Sequence, residues 1–125
     1  MRKTVVSPDA PPAVGPYSQA VISNGFVFTS GQVPLHPETK QLSTDITDAT
    51  RQCFANLKAI VEAAGAGMDT VVKVTIFIID MGQFPAINEV YKTIFSEPYP
   101  SRSCVAVSAL PLGAMIEIEL IAALK

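Results

Sequence analysis

Arg102, Glu117 and Glu119 are the side chains of this chain whose types and spacing could do chemistry together. A guanidinium is planar and offers parallel N–H groups that match the two oxygens of a carboxylate. A glutamate can hold a water molecule and polarise it toward an electrophile. Arg102 sits in Pro100-Ser101-Arg102-Ser103-Cys104-Val105-Ala106-Val107, and the two glutamates alternate with Ile116, Ile118 and Leu120. On strands, this spacing puts Arg102 and Cys104 on one face and Ser103, Val105 and Val107 on the other. If the apolar set turns toward a helical layer and the two strands pair as a hairpin, Arg102 and both glutamates share the remaining face. Two readings of that face stay open. One is a site in which Arg102 holds a small carboxylate while a glutamate directs water at it. The other is an Arg–Glu ion pair at a subunit seam, where each charge needs a partner to be desolvated.

Other reactive side chains have plainer readings. Cys104 has no histidine to activate it, since His36 is the only one and lies in a Pro-rich loop, so it reads as a small lining residue. A lone histidine is also a poor metal site. Cys53 falls on an apolar helix face and reads as core. Tyr17 reads as an interface aromatic, and Asn88 as an amide that caps or pairs with backbone. Asp45 and Asp48 suit a helix N-terminus, where the macrodipole favours negative charge.

These residues must be positioned by strands and helices, and the chain marks them clearly. Ser18 to Ser23 and Phe26 to Gln32 read as strands around Asn24-Gly25, a strong hairpin signal. Thr44-Asp45 caps a helix running to about Ala64, with Ile46, Ala49, Cys53, Leu57, Ile60 and Ala64 on one face and Gly65 as its stop. Thr70 to Ile79 is a β-branched run that reads as a strand buried on both faces. A second helix spans about Phe84 to Phe95, with Pro85 in its first turn and Phe84, Ile87, Tyr91, Ile94 and Phe95 on its apolar side. Strands Arg102 to Ala109 and Ile116 to Leu124 follow, and a short strand over Thr4 to Ser7 precedes the rest. The order β-β-α-β-α-β-β predicts an α+β fold, one mixed sheet with two helices on one face.

The chain has 125 residues, enough for a single domain over 1–125 with its own core. Hydrophobic residues make up 49% and charged residues only 16%, with a mean hydropathy of +0.35. No apolar run approaches the roughly 20 residues of a membrane span, so the surplus apolar surface is assigned to contacts with further copies of the chain. A net charge of −2 gives no footprint for nucleic-acid phosphates. Two cysteines without CxxC spacing, and no signal peptide at the start, suggest reduced thiols and a cytoplasmic address.

Across its whole length the chain resembles the RidA/YjgF family. The likeness rests on Gly15-Pro16-Tyr17-Ser18-Gln19-Ala20, Thr29-Ser30-Gly31-Gln32, Val72-Lys73-Val74-Thr75, Asn88-Glu89-Val90-Tyr91, Pro100-Ser101-Arg102-Ser103-Cys104-Val105, Leu110-Pro111 and Ile116-Glu117-Ile118-Glu119, in that order. It implies a chorismate-mutase-like fold and a homotrimer with three clefts between subunits. It implies hydrolysis of enamine and imine intermediates such as 2-aminoacrylate, that is, a 2-iminobutanoate/2-iminopropanoate deaminase, without cofactor or metal. Arg102 matches the carboxylate-binding arginine and Glu117 the glutamate that positions water. Tyr17, Ser30, Gly31, Asn88 and Cys104 match the substrate-binding surround. Two departures are mild: Ser101 where alanine is more usual, and Leu112 where lysine is frequent. A non-catalytic carboxylate-binding module, a ribonuclease or translation inhibitor, and a chorismate mutase are the competing functions. The acidic balance weighs against the ribonuclease, and the single inward arginine against the mutase.

Overall fold

The computed structural model describes residues 2–125. Eight elements carry the fold: β1 (Lys3–Val5), β2 (Ala20–Ser23), β3 (Phe26–Thr29), α1 (Ile46–Ala64), β4 (Val71–Ile78), α2 (Phe84–Ile94), β5 (Ser101–Ala106) and β6 (Ile116–Ala123). The strands form one sheet in the order β1-β2-β3-β6-β4-β5. Only β4 and β5 run parallel, so the sheet is mixed. Both helices lie on one face of it, as the element pattern predicts.

Local chemistry accounts for each element. Asn24 and Gly25 take positive φ of 52° and 81°, the two left-handed residues that a tight β2–β3 hairpin needs. Asp45 caps α1 by accepting from the Asp48 N–H at 3.1 Å, and Gly65 closes it in the left-handed conformation at φ 94°. Pro85 enters α2 in its first turn, where a missing N–H costs nothing. β4, α2 and β5 form a strand–helix–strand unit, and such a crossover returns its second strand parallel to the first.

Val27, Val74, Ile76, Ile78, Ile116, Ile118 and Leu120 from the sheet meet Cys53, Phe54, Leu57, Ile60 and Val61 from α1, all at 2% exposure or less. Each large side chain buried there contributes about 1.5–3 kcal/mol. Phe54, Tyr91 and Phe95 add an aromatic cluster that joins α1 to α2, with ring centroids 4.8–6.0 Å apart. The other sheet face carries no helix. Phe26, Phe28 and Val105 on it are 38%, 39% and 44% exposed, as expected of a face that the helix pair cannot reach.

Four expectations are corrected. First, β5 and β6 do not form a hairpin, because β4 lies between them and pairs with both. Second, Arg102 and Cys104 face the helices. They are in register with the buried Val74 and Ile76, and Cys104 packs on the core. Val105 instead lies beside Phe77 on the open face. β5 is an edge strand, so an apolar residue there can point outward. Third, Glu117 and Glu119 are in register with Phe77 and Thr75 on the open face, opposite Arg102. In β4 a bulge between Val71 and Lys73 also turns Val71 to the same side as Val74, so this strand is not evenly apolar on both faces.

Candidate functional site

The predicted site residues form two groups rather than one. The first surrounds Arg102 at the helix side of the β5 edge. Asn88 and Tyr91 project from α2, with Phe84 one turn before Asn88. The Arg102 Nη1 donates to Asn88 Oδ1 at 2.7 Å. Its Cζ lies 5.1 Å from the centroid of the Phe84 ring and 4.6 Å from that of Tyr91. Asn88, Tyr91, Tyr99 and Arg102 line an open groove of about 460 Å³. Cys104, one strand pitch along, is half-buried. Burial raises its thiol pKa, and the nearby Arg102 charge partly offsets this, so the thiolate nucleophile is disfavoured.

The second group surrounds Glu117 on the open face. After β3 the chain pairs with β6 again through Gln32, whose N–H donates to Ile118 O at 2.8 Å while the Ile118 N–H donates back at 3.1 Å. Phe28 opposes Ile121, so three residues on one side span two on the other, which makes a β-bulge at Ser30-Gly31. The Leu120 N–H, displaced from its ladder partner, donates to Thr29 Oγ1 at 3.0 Å. Ser30 is pinned by its own N–H to Gln19 O at 2.9 Å and by its hydroxyl to Ser18 O at 2.6 Å. The bulge lays Gly31 against Glu117 so closely that a Cβ would stand 2.5 Å from Glu117 Oε2. Only glycine permits this approach. Tyr17 is 51% exposed and shares a groove of about 570 Å³ with Ser30 and Phe28.

Burial pushes the Glu117 carboxyl above the usual glutamate range, and the Glu119 charge adds to the shift. It therefore holds its proton to a higher pH than an ordinary glutamate. Below it, the Cys53 thiol donates to Gln32 O at 3.2 Å. Burial, then the Glu117 charge, pushes its pKa far up, so it stays a neutral core thiol. Among the described residues neither Arg102 nor Glu117 forms an ion pair. The plain intrachain Arg–Glu bridge is therefore not what the fold builds. His36 accepts from the Glu38 and Thr39 N–H groups and organises its loop. No described helix is long and apolar enough to cross a membrane.

Sequence reasoning missed Phe84 and Tyr91 as neighbours of Arg102. Their spacing with Asn88, at i, i+4 and i+7 on one helix, was the available signal.

Known proteins share this arrangement of elements. The family model described as Endoribonuclease L-PSP matches residues 7–124. The chain is 43% identical to the 2-iminobutanoate/2-iminopropanoate deaminase of Escherichia coli K12 over 125 residues, with 98% of each chain covered. The crystal structure of E. coli TdcF with bound serine superimposes with a TM-score of 0.93 at 45% identity, covering 98% of this chain and 99% of that one. RidA from the Antarctic bacterium Psychrobacter sp. PAMC 21119 gives a TM-score of 0.94 at 43% identity, with 98% and 99% covered. With a match over nearly every residue and relatives above 40% identity at both levels, the chain belongs to the Endoribonuclease L-PSP family, which is the RidA/YjgF family.

Proposed function

We propose that this chain is a cytoplasmic imine hydrolase that converts 2-imino acids to 2-keto acids and ammonia. It would work as a single domain over 1–125 with a chorismate-mutase-like fold, in a homotrimer whose clefts join the Arg102 group of one copy to the Glu117 group of the next. One observation carries the reading. Arg102 is backed by rings and an amide and pairs with no carboxylate among the described residues, which leaves guanidinium N–H groups beyond the one given to Asn88 to take up a ligand carboxylate. The deaminase named among the relatives and the serine bound to TdcF support a small carboxylate ligand.

The substrate is R–C(=NH)–COO⁻. Arg102 binds its carboxylate bidentately, which fixes the electrophilic carbon. Glu117 accepts a proton from water as the water oxygen attacks that carbon, and the C=N electron pair moves to nitrogen, which takes up a proton. The protonated Glu117 gives its proton to the adduct nitrogen while the adduct hydroxyl loses one to solvent; the C–N bond then breaks and ammonia leaves with R–C(=O)–COO⁻ behind, Glu117 again a carboxylate. One water is consumed and no redox change occurs, so neither cofactor nor metal is required. Gly31 keeps the space over Glu117 clear. Tyr17, Ser30, Asn88 and Cys104 wall the substrate.

Mixing two inactive variants tests both the chemistry and the shared cleft. Co-refolded Arg102→Ala and Glu117→Gln chains assemble at random, and an intact pairing of the two groups recurs at about a quarter of the clefts. Ammonia release from a freshly generated 2-imino acid should return to about that fraction of wild type. A mixture as inactive as its two parents would overturn the shared site. The family's description also favours cleavage of RNA as a second reading. RNA degradation that survives stringent purification and disappears in Arg102→Ala would establish it.

A further inference from the structure

Building on the deaminase reading, we infer that Phe84 and Tyr91 are positioning residues that set the plane of the Arg102 guanidinium for the substrate carboxylate. Arg102 stands on an edge strand and is exposed, a place where a long side chain ordinarily samples many rotamers. Asn88 holds one corner of the guanidinium at 2.7 Å. A single hydrogen bond leaves the plane free to tilt about that corner. The ring faces of Phe84 and Tyr91, with the Arg102 Cζ 5.1 Å and 4.6 Å from their centroids, restrict the tilt while stabilising the cation. Neither ring takes up an N–H group in the guanidinium plane, so the bidentate fork stays available.

The platform is itself fixed. Tyr91 is 5% exposed and is clamped by Phe54 at 6.0 Å and Phe95 at 4.8 Å. Its hydroxyl is buried and makes no hydrogen bond among the described residues, so the packing uses the ring rather than the polar tip. Phe84, Asn88 and Tyr91 form one stripe of α2, so a rigid helix rather than a loop presents all three groups. If Phe84 were only a packing residue, any apolar side chain of similar bulk would serve.

The test uses Phe84, which is half-buried, because truncating Tyr91 would damage the core. Phe84→Leu keeps apolar bulk and removes the ring face. Calorimetry with 2-oxobutanoate, a 2-keto acid product, should show affinity reduced about two- to fivefold. KM should rise by a similar factor with kcat held within about twofold, since the carboxylate is gripped equally before and during reaction. Phe84→Tyr should restore both values, and Phe84→Leu should add nothing in an Arg102→Ala background. If Phe84→Leu fails to fold, Phe84→Met replaces it. Wild-type affinity in the ring-free variant, failure of Phe84→Tyr to rescue, or no 2-oxobutanoate binding by the unmodified protein would overturn the inference. A protein that shows this binding pattern but releases no ammonia would refute the deaminase and leave the positioning role standing.

Discussion

The two halves of the candidate site are prepared in opposite ways. The Arg102 half is assembled from regular structure: an edge strand, a helix stripe and an aromatic cluster rooted in the core. The Glu117 half depends on an interruption, the Ser30-Gly31 bulge, which opens room beside a carboxylate. The cation is stabilised where it stands, whereas the acid is held above its ordinary pKa by partial burial and a like charge. Each half lacks what the other has, and they lie on opposite faces of one sheet. A cation fixed by regular structure and a carboxyl raised by its surroundings can thus be tuned separately.

The contrast breaks most sharply at Arg102. Arg102→Ala should cut kcat/KM for a 2-imino acid by about a hundredfold to a thousandfold, the worth of two charge-assisted hydrogen bonds, while circular dichroism shows an unchanged fold. Turnover near wild type would remove the carboxylate anchor from the mechanism. Gly31→Ala attacks the other half. Its Cβ must displace the flexible end of Glu117, so kcat should fall about tenfold to a hundredfold while 2-oxobutanoate still binds at Arg102. Loss of binding instead would show that the halves are not separable.

The smallest effect sharpens the electrostatic side. Ionising Glu117 costs the folded state, because burial raises its pKa; that cost is absent below the unfolded value and complete above the folded one. Glu117→Gln never ionises, so it should melt a few degrees above wild type beyond neutrality. The gap should close as pH falls through the raised value toward 4.5, the ordinary value for glutamate. A gap that widens on acidification would mean that the carboxylate is stabilised, not strained, by its surroundings.

Much of this was legible before any coordinates. Asn24-Gly25 fixed a hairpin by backbone chemistry alone, Asp45 and Gly65 bounded α1 within a residue, and the β-branched run from Thr70 to Ile79 marked β4 to within a residue at each end. The face of Arg102 was not legible from alternation, because Val105 is apolar and yet exposed at a sheet edge. Facing depends on which strand lies beside β5, a non-local fact. The strand–helix–strand run through α2 contained a partial clue, since it returns β5 parallel to β4, but that β6 takes the other edge of β4 rather than pairing with β5 is a further non-local fact. An isolated glycine in Thr29-Ser30-Gly31-Gln32 likewise hinted at a bulge, but not at what would lie beneath it.

That extra residue also constrains how the sequence can change length. Excising Gly31 would let the strand after Phe28 run in step with Ile121 through Ile118, giving a more regular ladder. The same deletion would remove the one residue without a side chain that lies against Glu117, and leave only Ser30 between Thr29 and Gln32. A consensus or stability-driven redesign that removed this apparent flaw would yield a tidier sheet with its acid sealed off, so the position should be held fixed in any engineering of this scaffold.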